Sequence, residues 1–144
     1  MRDDAINRLV LDASVALAWC FPHESSAGSE RLLDSMADRS TAIVPAIWPF
    51  EVANALLTAE RRKRLSMAQV TAILKKLAQL PITIDAVPIE SVFGDILAVA
   101  RQGQLTEYDA AYLELALREG LSLATLDDPL RRAARNAGVS LVAV

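Results

Sequence analysis

This 144-residue chain has little of what many catalytic and binding mechanisms require. It has one cysteine, Cys20, so no intrachain disulfide can form. Cys20 sits in an apolar run after Ala18 and Trp19, which marks it as a buried small hydrophobe rather than a nucleophile. It has one histidine, His23, so a zinc centre of the Cys/His type is excluded by count. Nothing around His23 recommends a Ser-His-Asp or Cys-His mechanism. Aromatics make up only 5% of the chain. No apolar run approaches the roughly 20 residues of a membrane span. The opening residues, MRDDAINRLVLD, carry no apolar core of a secretory signal, so the expectation is a soluble, cytoplasmic protein. A basic excess is missing too: the net charge is −3 and the sequence pI is about 5.1. A nucleic acid would therefore have to be held by a local basic patch, or many of the acids must be metal ligands.

What is present is a regular alternation of short apolar runs and helical patterns. The hydrophobic share of 53%, rich in Ala, Leu, Val and Ile, suits helices packed on a buried sheet. Strands are expected at Leu9–Leu11, Thr41–Val44, Ile82–Ile84, Leu121–Thr125 and Val139–Val142. Helices are expected at 14–21, 27–37, 49–62, 66–80, 89–102, 106–119 and 129–137. Ser66 with Gln69 and Thr106 with Asp109 have the spacing of capping boxes. Gly120 and Gly138 are natural helix stops. Short strands apolar on both faces, separated by helices, predict a parallel sheet covered on two sides, an α/β/α arrangement. No linker or repeat interrupts it, so one domain spanning 1–144 is expected.

Four acids stand in unusual places. Asp12 and Asp127 follow the carboxyl ends of the first and fourth strands, where open α/β sheets place their ligand crevices. Asp109 opens the apolar stripe of its helix, ahead of Leu113, Ala116 and Leu117. Glu51 opens a small, polar helix face with Asn54, Ala55 and Thr58. Each has a plainer reading alone. Asp109 fits the third position of a capping box, Asp127 or Asp128 fits an N-cap before Pro129, and Asp12 fits a turn. Together they suggest an acidic site. Clustered carboxylates repel one another unless a cation neutralises them, and all-oxygen ligation favours Mg²⁺ or Mn²⁺. Such a site suits metal-assisted attack on a phosphodiester.

At these residues the sequence resembles the PIN-domain nucleases, and among them the VapC-like toxins of toxin–antitoxin pairs. The segments that carry the resemblance are LVLDASVALAWCFPHE (9–24), IWPFEVANALL (47–57), LTEYDAAYLELALREG (105–120) and LATLDDPLRRAARNAGV (123–139). The resemblance implies a five-stranded parallel sheet and a metal-dependent endoribonuclease. It implies Asp12, Glu51, Asp109 and Asp127 as ligands for one or two Mg²⁺ or Mn²⁺ ions, with Asp128 as a rival to Asp127 and with Ser14 and Thr125 in support. It also implies an RNA substrate, a homodimer and a small antitoxin over the acidic groove. Candidate RNA contacts are Arg61 and Arg62 in the run to Arg64, and Arg131 and Arg132 beside Asp127. Trp19 and Trp48 are expected to pack rather than stack on bases. Three competing readings stay open. A phosphatase with a phospho-aspartyl intermediate lacks its second acid, because Asp12-Ala13-Ser14 stands where that acid belongs. The others are a non-catalytic module and a nuclease of RNA processing.

Overall fold

A computed structural model describes residues 7–144. Its sheet is parallel throughout and runs β3-β2-β1-β4. The strands are β1 (Asn7–Leu11), β2 (Ser40–Pro45), β3 (Ile82–Asp85) and β4 (Ser122–Ala124). Leu9, Val10 and Leu11 are buried in succession, as are Ala42 to Pro45. Strand side chains alternate in direction, so consecutive burial means that both sheet faces are covered.

The helices are α1 (Ala13–Cys20), α2 (Ala27–Ser35), α3 (Trp48–Arg61), α4 (Met67–Ala78), α5 (Ile89–Ser91), α6 (Leu97–Gly103), α7 (Glu107–Glu119) and α8 (Asp128–Asn136). Between α5 and α6 the stretch Val92–Ile96 is wound as a π-helix, so the expected single helix is present but locally underwound. α7 packs on β1, β2 and β4 and against α6 and α8, while α1 packs with α2 and α3. Tyr112, Leu115, Leu123, Leu130, Val10 and Leu11 are among the fully buried side chains of the core. The inward face of α7 is broader than the expected stripe: Leu113 and Ala116 are buried as expected, Tyr112 and Leu115 are buried beside them, and Leu117 is exposed. Among the described residues no helix is long and apolar enough to cross a membrane.

Capping follows the sequence at some ends and departs from it at others. Ser66 and Gln69 close a full capping box, with the Ser66 N–H donating to Gln69 Oε1 at 2.8 Å and the Gln69 N–H to Ser66 Oγ at 3.1 Å. Thr106 makes only half of one: its Oγ1 accepts from the Asp109 N–H at 3.1 Å, and no carboxylate returns the bond. The Asp109 carboxylate therefore takes no part in the cap.

The fifth strand is a correction. Val139–Val142 contributes a single parallel bridge, Leu123 to Leu141, flanked by bonds from the Leu123 N–H to the Ser140 carbonyl and from the Val142 N–H to the Leu123 carbonyl, each 2.9 Å. Its neighbour among the described residues, β4, is three residues long and offers little ladder. The chain end is diverted over α2: a Cβ at Gly28 would stand 2.7 Å from the Val144 Cα. Only glycine permits that approach.

Candidate active site at the strand ends

β1 and β4 are neighbours, so the residues that follow them meet. The Asp12 N–H donates to the Ala124 carbonyl at 2.9 Å, which ties the two strand ends together. The Asp12 side chain is 5% exposed. Two hydroxyls converge on its Oδ2, Ser14 Oγ and Thr125 Oγ1, each at 2.7 Å. Ser14 and Thr125 also anchor the backbone beyond β4. Ser14 Oγ accepts from the Leu126 N–H at 2.9 Å and Thr125 Oγ1 from the Asp127 N–H at 3.0 Å. Both residues thus hold Asp12 and shape the loop that carries Asp127.

Asp127 is the N-cap of α8, where its Oδ2 accepts from the Leu130 N–H at 3.0 Å. The plainer reading of this residue is therefore correct, yet its charge also reaches Asp12 and Asp109. Asp128 is exposed at the first position of α8 and is not among the charges felt at Asp12, Glu51 or Asp109. Glu51 enters from the first turn of α3 and Asp109 from the first turn of α7. Both are half-buried.

The residue that sequence reasoning missed is Tyr112. It is fully buried on α7, three positions after Asp109, and its hydroxyl donates to Glu51 Oε1 at 2.5 Å. A tyrosine on an inward helix face needs a partner for its hydroxyl, and the i, i+3 spacing from Asp109 was the available signal.

The electrostatics of Asp12, Glu51 and Asp109 are those of under-compensated acids. Burial raises the Asp12 pKa, the Ser14 and Thr125 hydroxyls oppose the rise, and the Asp127 charge adds to it. Burial raises Glu51 as well, against the Tyr112 hydroxyl and with the charges of Asp12 and Asp109. Asp109 is pushed up to about 6 by burial, then by Asp127 and Asp12. Burial and the bond to Glu51 raise Tyr112, so its hydroxyl stays protonated. No arginine or lysine figures among the causes at the three raised acids. An all-oxygen donor set with surplus negative charge fits a hard divalent cation. As they stand, no three or more Asp, Glu, His or Cys side chains among the described residues are gathered tightly enough to hold one ion. Binding would have to draw the carboxylates inward.

The basic candidates separate. Arg131 Nη1 donates to the Thr125 carbonyl at 2.9 Å, so this guanidinium helps to build the site wall. Arg132 is exposed and lines a cavity between α6, α7 and α8. Arg61 ends α3 ten residues beyond Glu51, about 15 Å along the helix axis, and Arg62 caps that end, so the fold does not bring them to the acids. Both tryptophans are packed: Trp19 Nε1 donates to the Ser29 carbonyl at 2.8 Å, and Trp48 is buried. Burial pushes the Cys20 thiol up to about 11, which makes it a poor nucleophile.

A parallel sheet with acids at the ends of β1 and β4, met by acids from two helix starts, defines a PIN-type nuclease architecture. The sequence model described as "PIN domain" matches residues 9–136, and the chain belongs to that family. Among curated relatives, "Ribonuclease VapC3" of Pyrobaculum aerophilum is 33% identical over 123 residues, covering 85% of this chain and 92% of that protein. "Ribonuclease VapC3" of Mycobacterium tuberculosis is 35% identical over 114 residues, covering 71% of this chain and 79% of that protein. Among solved structures, PAE2754 from Pyrobaculum aerophilum superposes with a TM-score of 0.67 at 26% identity, covering 90% of this chain and 86% of that one. VapBC2 from Rickettsia felis, solved bound to a DNA fragment from its promoter, shares the fold alone at 14% identity, with a TM-score of 0.66 over 93% of this chain and 96% of that one.

Proposed function

We propose that this protein is a metal-dependent endoribonuclease and the toxin of a toxin–antitoxin pair, acting in the cytoplasm. The ribonuclease reading rests on family membership and on relatives named as ribonucleases across most of both chains. The observation that supports its site is the buried Asp12 carboxylate, held on one oxygen by two hydroxyls beside three further acids. Asp12, Glu51 and Asp109 are the metal ligands, and Asp127 ligates directly or through water while it caps α8. Mg²⁺ or Mn²⁺ bound there supplies an activated water and a clamp for a phosphate oxygen.

The chain's own residues perform the remaining work. Ser14 and Thr125 fix Asp12 Oδ2, so that Oδ1 takes neither hydroxyl bond. Tyr112 holds Glu51 Oε1 and leaves Oε2 outside that bond, as the oxygen that would face a metal or take a proton. Arg131 holds the Thr125 carbonyl and keeps Asp127 in register with Asp12. Neither His23 nor the RNA 2′-hydroxyl has a part. The resemblance further implies a homodimer and a small antitoxin that covers the acids.

Cleavage of a mixed RNA pool by the purified chain, with Mn²⁺ and with chelator, tests this beside Asp12→Asn. The expected result is metal-dependent cleavage that the variant abolishes with its fold retained. Cleavage that survives both chelation and Asp12→Asn would refute the site. No cleavage of any RNA after unfolding and refolding to remove a bound inhibitor would refute the activity.

A further inference from the structure

The acids leave a neighbouring cavity without a role. It lies between α6, α7 and α8 and has a volume of about 360 Å³. Leu113 and Ala133 are buried and form its apolar floor, with Pro129 at one side. Its exposed rim carries four polar heads, the amides of Gln102, Gln104 and Asn136 and the guanidinium of Arg132.

Two of its three walls start at the acids. Leu113 lies one turn after Asp109 on α7, about 6 Å along the axis. Pro129 lies two residues after Asp127 in the first turn of α8. The third wall is held at some conformational cost. α6 ends pressed against α8, where a Cβ on Gly103 would sit 3.3 Å from the Ala133 Cβ. The glycine is used for that approach, and the left-handed position falls one residue later, on Gln104 at φ 54°. Gln104 caps α6 in that conformation, its N–H donating to the Ala100 and Arg101 carbonyls, which fixes where its side chain leaves the helix.

We propose that this cavity is a nucleobase subsite. It takes one unstacked base of a single-stranded RNA next to the bond cut at the acids. The base lies on Leu113 and Pro129, the amides of Gln102, Gln104 and Asn136 read its edge, and Arg132 meets the adjoining phosphate. Each amide offers a donor and an acceptor, the pairing that base edges demand. Bases splayed from single strands are the form in which RNA sequence is read. The inference rests on the ribonuclease reading above and adds the source of its sequence preference.

The test reads base choice twice, once without catalysis. Fluorescein-labelled AAA, GGG, CCC and UUU trinucleotides are titrated with the chain in chelator, and cut ends from a random RNA pool in Mn²⁺ are sequenced. One trinucleotide is expected to bind about 10-fold more tightly than the weakest, with the same base enriched at one fixed position beside the cut. The double variant Gln102→Leu, Asn136→Leu, both exposed sites, is expected to lose most of both preferences. Equal binding of the four trinucleotides, or preferences that the double variant leaves intact, would overturn the proposal. A mononucleotide that competes as well as its trinucleotide would overturn the assignment to RNA in favour of a free nucleotide. A pool left uncut even by the unfolded and refolded chain, with discrimination that the variant abolishes, would uphold the subsite while refuting the nuclease.

Discussion

Replacing Asp109 by Asn should make the metal-free protein more stable at neutral pH, although the residue is read as essential. The Asp109 carboxyl is pushed from 3.8 to about 6, first by burial and then by Asp127 and Asp12. A native pKa above the unfolded one means that the native state holds the extra proton between those values. Stability is then full below about 4 and is lost as pH rises through about 6. Converted in full, the shift gives about 3 kcal/mol, but Asp109 is only half-buried and water screens it, so about 1 kcal/mol is expected. That corresponds to a rise of about 4 °C in Tm for Asp109→Asn at pH 7.5 in chelator. The difference should shrink as pH falls towards 4, where Asp109 is neutral in the folded state. Added Mn²⁺ should raise the wild-type Tm at pH 7.5, do so weakly at pH 5, and do little for the variant. Thermal melts followed by circular dichroism over pH 4–8 measure all of this. A variant less stable than wild type at pH 7.5 in chelator would refute the reasoning and would mean that the Asp109 charge stabilises the first turn of α7.

Three further outcomes follow from the hydrogen bonds. Tyr112→Phe keeps the buried ring and removes the donor to Glu51 Oε1, so Mn²⁺ affinity and cleavage should fall about 10- to 100-fold with the fold retained; cleavage within twofold of wild type would rule out an orienting role. Thr125→Val strips the hydroxyl from Asp12 and from the Asp127 N–H inside a fully buried pocket, and urea titration should show a loss of about 2 kcal/mol. An unchanged midpoint would mean that another group replaces it. Arg118→Ala breaks the pairs to Asp85 at 2.7 Å and to Glu114 at 3.0 Å and leaves Glu114, 7% exposed, without its cation. It should cost about 2 kcal/mol in the same titration while metal-dependent cleavage persists, because Arg118 pairs with none of the four acids.

What could be read in the sequence was whatever a single element fixes locally. Asp12 and Asp127 were legible because short apolar runs mark strand ends, and strand ends in a parallel sheet mark the crevice. Glu51 and Asp109 were legible as acids in first helical turns. The Ser66–Gln69 cap was legible because three residues suffice to make it. Features that depend on two distant elements were not. The Tyr112–Glu51 bond joins residues 61 apart, and no periodicity connects them. The fifth strand failed for the same reason: Val139–Val142 has strand composition, but its ladder is limited by the length of β4 and by the terminal residues packing on Gly28. The half-made cap at Thr106 shows how one pattern can serve two masters. Thr106-x-x-Asp109 is a capping box by spacing, and the chain uses only the threonine's half. A carboxylate that declines a local bond worth about 1 kcal/mol, and sits instead where burial and then Asp127 and Asp12 raise its pKa, is held there by the fold against its own preference. A divalent cation shared with Asp12 and Glu51, as proposed above, would offset that cost.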